Sequence, residues 1–177
     1  MVGDSLIVLV VIGTTIVLMF VFPLVSMSEK SNNVSLLAVQ TATTEFVDKV
    51  RTTGKLTLED YDKYIATINS TGNSFDVDIE LQFLDENPGV KTTQAEMTKI
   101  GENLYYNFYT SQVEQMLNEN SIILLKEGDR ISMIANRTNI PFDQILLDWI
   151  FPTSANGAGD KVAQHAGIVT ATGTTRY

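Results

Sequence analysis

The chain has no cysteine, one histidine and few basic residues. The absence of cysteine excludes disulfide bonds, thiolate metal ligands and cysteine nucleophiles. His165 lies in a segment that reads as a loop and has no evident partner for proton transfer. The 12 Lys and Arg are outnumbered by 21 Asp and Glu, for a net charge of −9. This balance disfavours nucleic acid and anionic lipid surfaces as ligands.

The motifs of common enzyme classes are also missing. The sequence contains no glycine-rich phosphate loop after a strand and no His-Glu-x-x-His pattern for zinc. Alternating carboxylates at Asp76, Asp78 and Glu80, with Asp85 and Glu86 nearby, raise the question of calcium. Side chains two apart on a strand stand nearly 7 Å from one another, so a solvated sheet face is the favoured interpretation. We therefore expect no catalysis, no cofactor, no bound metal and no small-molecule substrate.

What the sequence does contain is a long apolar run from Leu6 to Val25. At a rise of about 1.5 Å per residue, these residues span roughly the 30 Å hydrocarbon core of a bilayer. The run is too long for a signal peptide, and Met1 to Ser5 carries no Lys or Arg. We predict a retained transmembrane anchor over residues 1–28.

The remaining residues, 29–177, suit one domain with a single core. Lys30 is the only basic residue close to the anchor, so the positive-inside rule does not settle the orientation. Because an acidic domain would be repelled by anionic cytoplasmic lipid, we expect it on the extracytoplasmic side of the cell membrane.

Apolar spacing and capping residues predict four helical regions after the anchor. The first continues the anchor outward as far as Gly54, either interrupted at Ser31-Asn32-Asn33 or as one rod, along a stripe at Leu36, Val39, Thr43, Phe46 and Val50. Capping patterns at Thr57 and Thr93 begin two more, the second running to about Leu117. Pro141 opens a short fourth helix, whose buried face is expected at Phe142, Ile145, Leu146, Trp149 and Ile150.

Alternation of apolar and polar residues predicts the strands. The clearest is Phe75 to Phe83. Ser121 to Leu125 and Arg130 to Asn136 read as a hairpin across the turn 126–129, and Gly167 to Thr172 as a last strand. The predicted fold class is α+β: a long N-terminal transmembrane helix extending into a small, mainly antiparallel sheet packed with helices.

Three blocks of the domain resemble a known family. They are FVDKVRTTGKLTLEDYDKYIATINSTGNSFDVDIEL (Phe46 to Leu81), LKEGDRISMIANRTN (Leu125 to Asn139) and AQHAGIVTATG (Ala163 to Gly173). The family comprises clostridial and other Gram-positive single-pass proteins associated with tight-adherence (Flp-type) pilus genes, which look like TadE-type minor pilins. The resemblance implies a structural subunit whose partners are the lipid bilayer and other pilin-like subunits or pilus assembly proteins.

Within this resemblance, two residues of the anchor carry specific expectations. Gly13 would permit close approach of a neighbouring helix, and Pro23 removes one intrahelical hydrogen bond and can bend or locally melt the helix. Gly and Pro are also simply common in membrane helices, which is an equally good explanation.

The chain departs from the prepilin pattern at its N-terminus. It shows no basic leader and no Glu a few residues after a cleavage point, and Gly3-Asp4 is the only candidate processing junction. Two hypotheses therefore stay open: a subunit that enters a filament, and an anchored extracytoplasmic binding or assembly module that does not polymerise.

Overall fold

One continuous helix forms the N-terminal part of the chain and the spine of the domain that follows. The structure is a computed structural model and describes residues 2–85, 105–150 and 161–174. The helix comprises α1 (Val2–Ile16), a π-helical turn (Val17–Val21) and α2 (Phe22–Thr53). Of the two possibilities for this region, the uninterrupted rod is therefore the one observed.

The N-terminal helix ends where the sequence predicts. Gly54 follows it with a left-handed φ of 66°, a conformation that glycine adopts without steric cost, and its N–H donates to the Val50 carbonyl. A side chain at Gly54 would also collide with the backbone of Ala171 and Gly173. The end of the helix is thus fixed both by its own cap and by the C-terminal segment packed against it.

The rest of the domain is a mixture of short helices and antiparallel strands. In chain order they are β1 (Lys55–Thr57), α3 (Leu58–Asn69), β2 (Phe75–Leu84), β3 (Tyr105–Tyr109), α4 (Thr110–Asn120), β4 (Ile122–Leu124), β5 (Arg130–Arg137), α5 (Phe142–Ile150) and β6 (Lys161–Ile168). The larger sheet has the order β3-β2-β5-β6, and β1 pairs with β4 in a small second sheet. All described strand pairs are antiparallel, which confirms the predicted α+β class.

The core lies between α2 and one face of the larger sheet. The predicted stripe on α2 is buried at Val39, Thr43, Phe46 and Val50, and Leu36 is partly buried. From the sheet and the other elements, the fully buried side chains include Leu56, Ile68, Ile79, Leu81, Val113, Leu117, Ile131 and Met133. The helical period of α2 and the alternation in the strands each place apolar side chains on one face. These two faces pack against each other.

The second predicted helix is confirmed as α3. Thr57 caps it, and its hydroxyl accepts a hydrogen bond from the Asp60 N–H at 3.1 Å. Tyr61, Tyr64 and Ile68 are the buried residues of this helix.

The third predicted helix is partly wrong. Tyr105–Tyr109 forms β3, paired with β2 from Leu84↔Tyr105 to Glu80↔Tyr109, and from Tyr105 onward the helix is confined to Thr110–Asn120. Aromatic residues favour strands. Here they also form backbone hydrogen bonds with β2, a contact that the spacing of apolar residues along the chain does not reveal. The part of that predicted helix before Tyr105 and the loop 153–160 lie outside the described residues.

The predicted hairpin between β4 and β5 is also wrong, although both strands exist. β4 pairs with β1, whereas β5 pairs with β2 and β6. The connecting turn is held by Asp129, whose carboxylate accepts from the Lys126 and Leu84 N–H groups, both at 2.7 Å. These bonds direct the chain from one sheet into the other.

Two predictions near the C-terminus need correction. The last strand is β6, Lys161–Ile168, which begins six residues before the predicted Gly167. The short helix α5 is present, but Phe142, Ile145 and Trp149 on its predicted buried face are exposed. Leu146 alone of the described side chains on that face is partly covered.

Candidate membrane anchor and assembly surface

The first half of the N-terminal helix exposes apolar side chains in every direction. Among the described residues it is the one helix long and apolar enough to cross a membrane, with a mean hydropathy of 2.8 over its most apolar window and none of that window buried. The exposed side chains include Leu6, Leu9, Ile12, Leu18, Phe20 and Phe22. Each Leu, Ile or Phe left in water forgoes about 1.5–3 kcal/mol of burial. This surface therefore requires a cover that the described domain does not supply.

We call Leu6 to Val25 the apolar segment. The hydroxyl groups of its two threonines form hydrogen bonds within the helix. Thr14 donates its hydroxyl hydrogen to the Val10 carbonyl at 2.9 Å, and Thr15 does the same to Val11 at 2.8 Å. Back-bonding of this kind removes the cost of placing a hydroxyl in an apolar medium.

Gly13 lies next to these threonines on the exposed helix surface. A Cβ atom at Gly13 would meet no atom within 4 Å, so no contact in the described part of the chain requires glycine there. The close helix approach expected at Gly13 would have to come from another molecule, and it stays a prediction.

Pro23 lies two residues after the π turn. The Phe22 N–H donates to the Val17 carbonyl, five residues back, so the helix is widened by one residue just before the proline. A proline lacks an N–H and its ring collides with the preceding turn. The wider turn gives that ring room while the helix continues, so the segment is not melted.

Gly3 and Asp4 lie in the first turn of α1. A carboxylate at this position interacts favourably with the positive end of the helix dipole. The processing junction between them stays a prediction.

A cluster of polar side chains ties the helix to the sheet beyond the apolar segment. Arg137 donates through Nη1 to Asn32 Oδ1 at 3.0 Å, and Asn73 donates through Nδ2 to Ser35 Oγ at 2.8 Å. Asn139 in turn donates to Asn73 at 3.1 Å. We call these five residues the polar cluster. The sequence suggested that Asn32 could break the helix, whereas the structure uses its amide to position the end of β5.

The other end of α2 is held by a second polar group. His165 Nε2 lies 3.2 Å from Asp48 Oδ1, and Arg51 donates to the same oxygen at 2.8 Å. The hydrogen bond from His165, aided by Arg51, holds the pKa of Asp48 below its ordinary value. His165 is thus on β6 with a carboxylate partner, which its loop-like sequence context did not indicate.

Arg51 also explains a glycine in β6. Its Nε donates to the Ile168 carbonyl at 3.0 Å, and its side chain lies where a Cβ atom of Gly167 would be. A residue with a side chain at Gly167 would displace the guanidinium from this bond.

Two buried tyrosines on α3 form hydrogen bonds with α2 and α4. Tyr61 donates its hydroxyl hydrogen to Glu114 Oε1 at 2.8 Å, and burial together with that carboxylate raises the pKa of Tyr61. Burial likewise raises the pKa of Tyr64, whose hydroxyl lies 3.0 Å from Thr43 Oγ1. Both hydroxyls form hydrogen bonds that link α3 to its neighbours.

The outer face of the sheet holds a concavity of about 450 Å³ lined in part by Asp78, Glu80 and Glu114. Its described lining contains no histidine, lysine or arginine, and the Thr110 hydroxyl is occupied by the Ile79 N–H at 3.0 Å. Within the described ranges, no group of three or more His, Cys, Asp or Glu side chains is placed to hold a metal ion. Asp76, Asp78 and Glu80 lie along β2 as a solvated row.

Comparison with known proteins finds no matching family model, no matching characterised protein and no matching solved structure.

Proposed function

We propose that the protein is a membrane-anchored, pilin-like structural subunit associated with a tight-adherence-type pilus, acting by helix packing and protein contacts without catalysis. The observation that supports this is the double use of one helix. Its first part exposes apolar side chains all round, and its second part buries one apolar stripe against the domain.

The solvation of the apolar segment suits such a role. Lipid tails are about as apolar as leucine, so a helix of this kind can exchange lipid contacts for contacts with other helices at little solvation cost. Association then depends on close packing, and Gly13, which has no side chain and open space beside it, would permit close approach of another helix. The segment can therefore serve in turn as a bilayer anchor and as part of a filament core.

The domain fits the extracytoplasmic side of the cell membrane. It carries most of the 21 acidic residues of the chain, and repulsion from anionic lipid would oppose its placement beside the cytoplasmic leaflet. Other pilin-like subunits or pilus assembly proteins are the partners that this role requires.

Shearing of cells that produce the full chain tests the proposal. A filament subunit is expected in the sheared, high-speed pellet as well as in the membrane. Recovery in the membrane alone, at every growth stage and with a known pilin released as positive control, would establish the non-polymerising assembly module instead.

The mass of the N-terminus of the membrane and sheared forms tests the junction at Gly3-Asp4. A filament form that begins at Asp4 would establish processing there. Retention of Met1 in both forms would exclude it.

A further inference from the structure

The outward face of α5 is apolar although it packs on nothing in the described chain. Phe142, Ile145 and Trp149 are 58%, 51% and 77% exposed, and their spacing of three and four places them on one side of the helix. Single exposed apolar residues are common, but three large ones in one row mark a surface that contacts something else.

The path of β5 gives the position of α5 along the N-terminal helix. β5 begins at Arg130, opposite Ile168, whose carbonyl accepts from Arg51. It ends at Arg137, which donates to Asn32. The chain therefore moves along α2 toward its N-terminus, and α5, which follows, packs against α2.

Burial on α2 agrees with this position. Val25 is 8% exposed and is the one described residue of α2 before Ser35 to be buried. Since α5 follows the end of β5 and contacts α2, we infer that it covers Val25. It thus sits about 10 Å, or seven residues, beyond the bond between Arg137 and Asn32.

Val25 is also the last residue of the apolar run. It lies 19 residues after Leu6, about 28 Å along the helix, which matches a hydrocarbon core of about 30 Å. A helix packed at Val25 is therefore level with the boundary between acyl chains and headgroups. Tryptophan is enriched at this depth because its ring is apolar and its N–H is polar.

We propose that α5 is an interfacial helix whose outward face, Phe142, Ile145 and Trp149, inserts into the headgroup region of the bilayer that the anchor spans. The apolar surface of α5 continues that of the anchor, and this continuity favours lipid over a protein partner. The inference rests on the membrane span in the proposed function, and does not depend on whether the protein polymerises.

Insertion here is driven by apolar contact and needs no anionic lipid. The segment from Phe142 to Ile150 contains no Lys or Arg and has carboxylates at Asp143 and Asp148. Surface helices that bind by charge carry basic residues on their polar face. We therefore expect α5 to insert into zwitterionic phosphatidylcholine as well as into mixtures that contain phosphatidylglycerol.

Trp149 is the only tryptophan in the chain, so its fluorescence reports on α5 alone. We would reconstitute the full chain in phosphatidylcholine vesicles brominated at shallow or deep acyl positions. Quenching by shallow bromines, with protection from aqueous iodide, is the expected result. Unquenched emission that iodide reaches freely, in vesicles that carry the protein on flotation, would overturn the inference while leaving the anchor intact.

Two isoleucines with nearly equal exposure provide matched variants. Ile145 is 51% exposed on α5, and Ile168 is 50% exposed at the opposite end of the domain. Ile145→Asp should lose most of the shallow-bromine quenching of Trp149, whereas Ile168→Asp should retain it. Equal quenching in both variants would contradict insertion of this face.

Dilution in lipid separates insertion from docking on a second copy. If Trp149 is in lipid, its quenching stays constant as the protein-to-lipid ratio falls. Quenching that changes with that ratio would instead assign the α5 face to contact between copies and overturn the lipid proposal. Failure of the protein to float with vesicles would count against the membrane span itself.

Discussion

At the scale of single residues, the absence of a side chain at Gly167 makes room for the side chain of Arg51. The guanidinium crosses β6 at the position of a missing Cβ and binds both a strand carbonyl and Asp48. Neither residue is informative in the sequence without the other.

Replacement of Gly167 should therefore destabilise the domain through Arg51. Gly167→Ala displaces the guanidinium and forfeits its bond to Ile168, at an expected cost of about 1–2 kcal/mol in the free energy of unfolding. Urea unfolding of the full chain in detergent micelles measures this cost. Ala166→Val, at the exposed neighbouring position, serves as control and should change stability little.

The same pair offers a direct test of cause. In an Arg51→Ala background, Gly167→Ala should cost much less than in the parent chain, because the displaced group is absent. An equal cost in both backgrounds would show that Gly167 acts through the strand backbone instead.

The acid sensitivity of Asp48 is a second residue-scale prediction. Its pKa is lowered in the folded state from an ordinary value of 3.8, mainly by the hydrogen bond from His165. A carboxyl whose folded pKa is lowered adds stability above its unfolded pKa and loses that stability as the pH falls through the folded value. Asp48 should thus stabilise the fold near neutral pH and lose this contribution progressively as the pH falls below 3.8 and through its lower folded pKa.

Carbon-13 NMR titration of Asp48 checks the cause of this shift. In His165→Gln the pKa of Asp48 should rise toward its ordinary value. Arg51→Ala should raise it less, because the contribution of the arginine is smaller. A larger rise in the arginine variant would reverse the assigned order of causes.

At the scale of elements, the fold rests on an apolar stripe of α2 packed against one face of the sheet. The contribution of this core to stability can be measured by comparing two leucines on opposite faces of β2. Leu81 is fully buried in the core, whereas Leu84 at the end of the same strand is 39% exposed.

Leu81→Ala should cost about 2–5 kcal/mol of stability, because it removes buried methyl groups and leaves a cavity. Leu84→Ala should cost well under half of that. Urea unfolding in micelles provides both values, and similar costs would mean that the core does not lie where the structure places it.

Element periodicity was predictable from the sequence, whereas element partners were not. The stripe from Val39 to Val50 and the alternation in β2 each indicate which face of the element is apolar. The structure buries both of these apolar faces, as predicted. The pairing of Tyr105–Tyr109 with β2 depends on a contact that no local pattern encodes. The turn at Asp129 likewise separates two strands through a hydrogen bond from Leu84, which is distant in sequence.

The exposed face of α5 is the most instructive of these differences. Its spacing indicates an apolar face, and that part of the interpretation was right. Periodicity does not say whether protein, water or lipid covers the face, because all apolar surroundings produce the same pattern.

At the scale of the whole molecule, the apolar segment and the domain have separate requirements. The domain folds around its own core, and the segment needs lipid or other helices. A substitution in the segment can therefore change assembly without changing the fold.

Gly13→Leu tests this separation. The added side chain should hold neighbouring helices apart and lower the fraction of protein released by shearing, while membrane insertion is unchanged or improved. Ile12→Leu, which preserves side-chain volume at the adjacent position, should release as much protein as the parent chain.

Immunoblots of the sheared and membrane fractions provide the comparison. If Gly13→Leu is released as efficiently as the control, the close approach of helices at Gly13 is wrong. Gly13 would then be one of the many glycines that membrane helices tolerate.

The unbroken course of the N-terminal helix also has a mechanical consequence. From Gly3 to Thr53 it contains 51 residues, about 76 Å of helix without an intervening loop. The C-terminal segment is fastened to the far end of this rod by the bond from the Thr170 N–H to the Arg51 carbonyl. A pull on that end is transmitted along the helix axis to the apolar segment without passing through a loop.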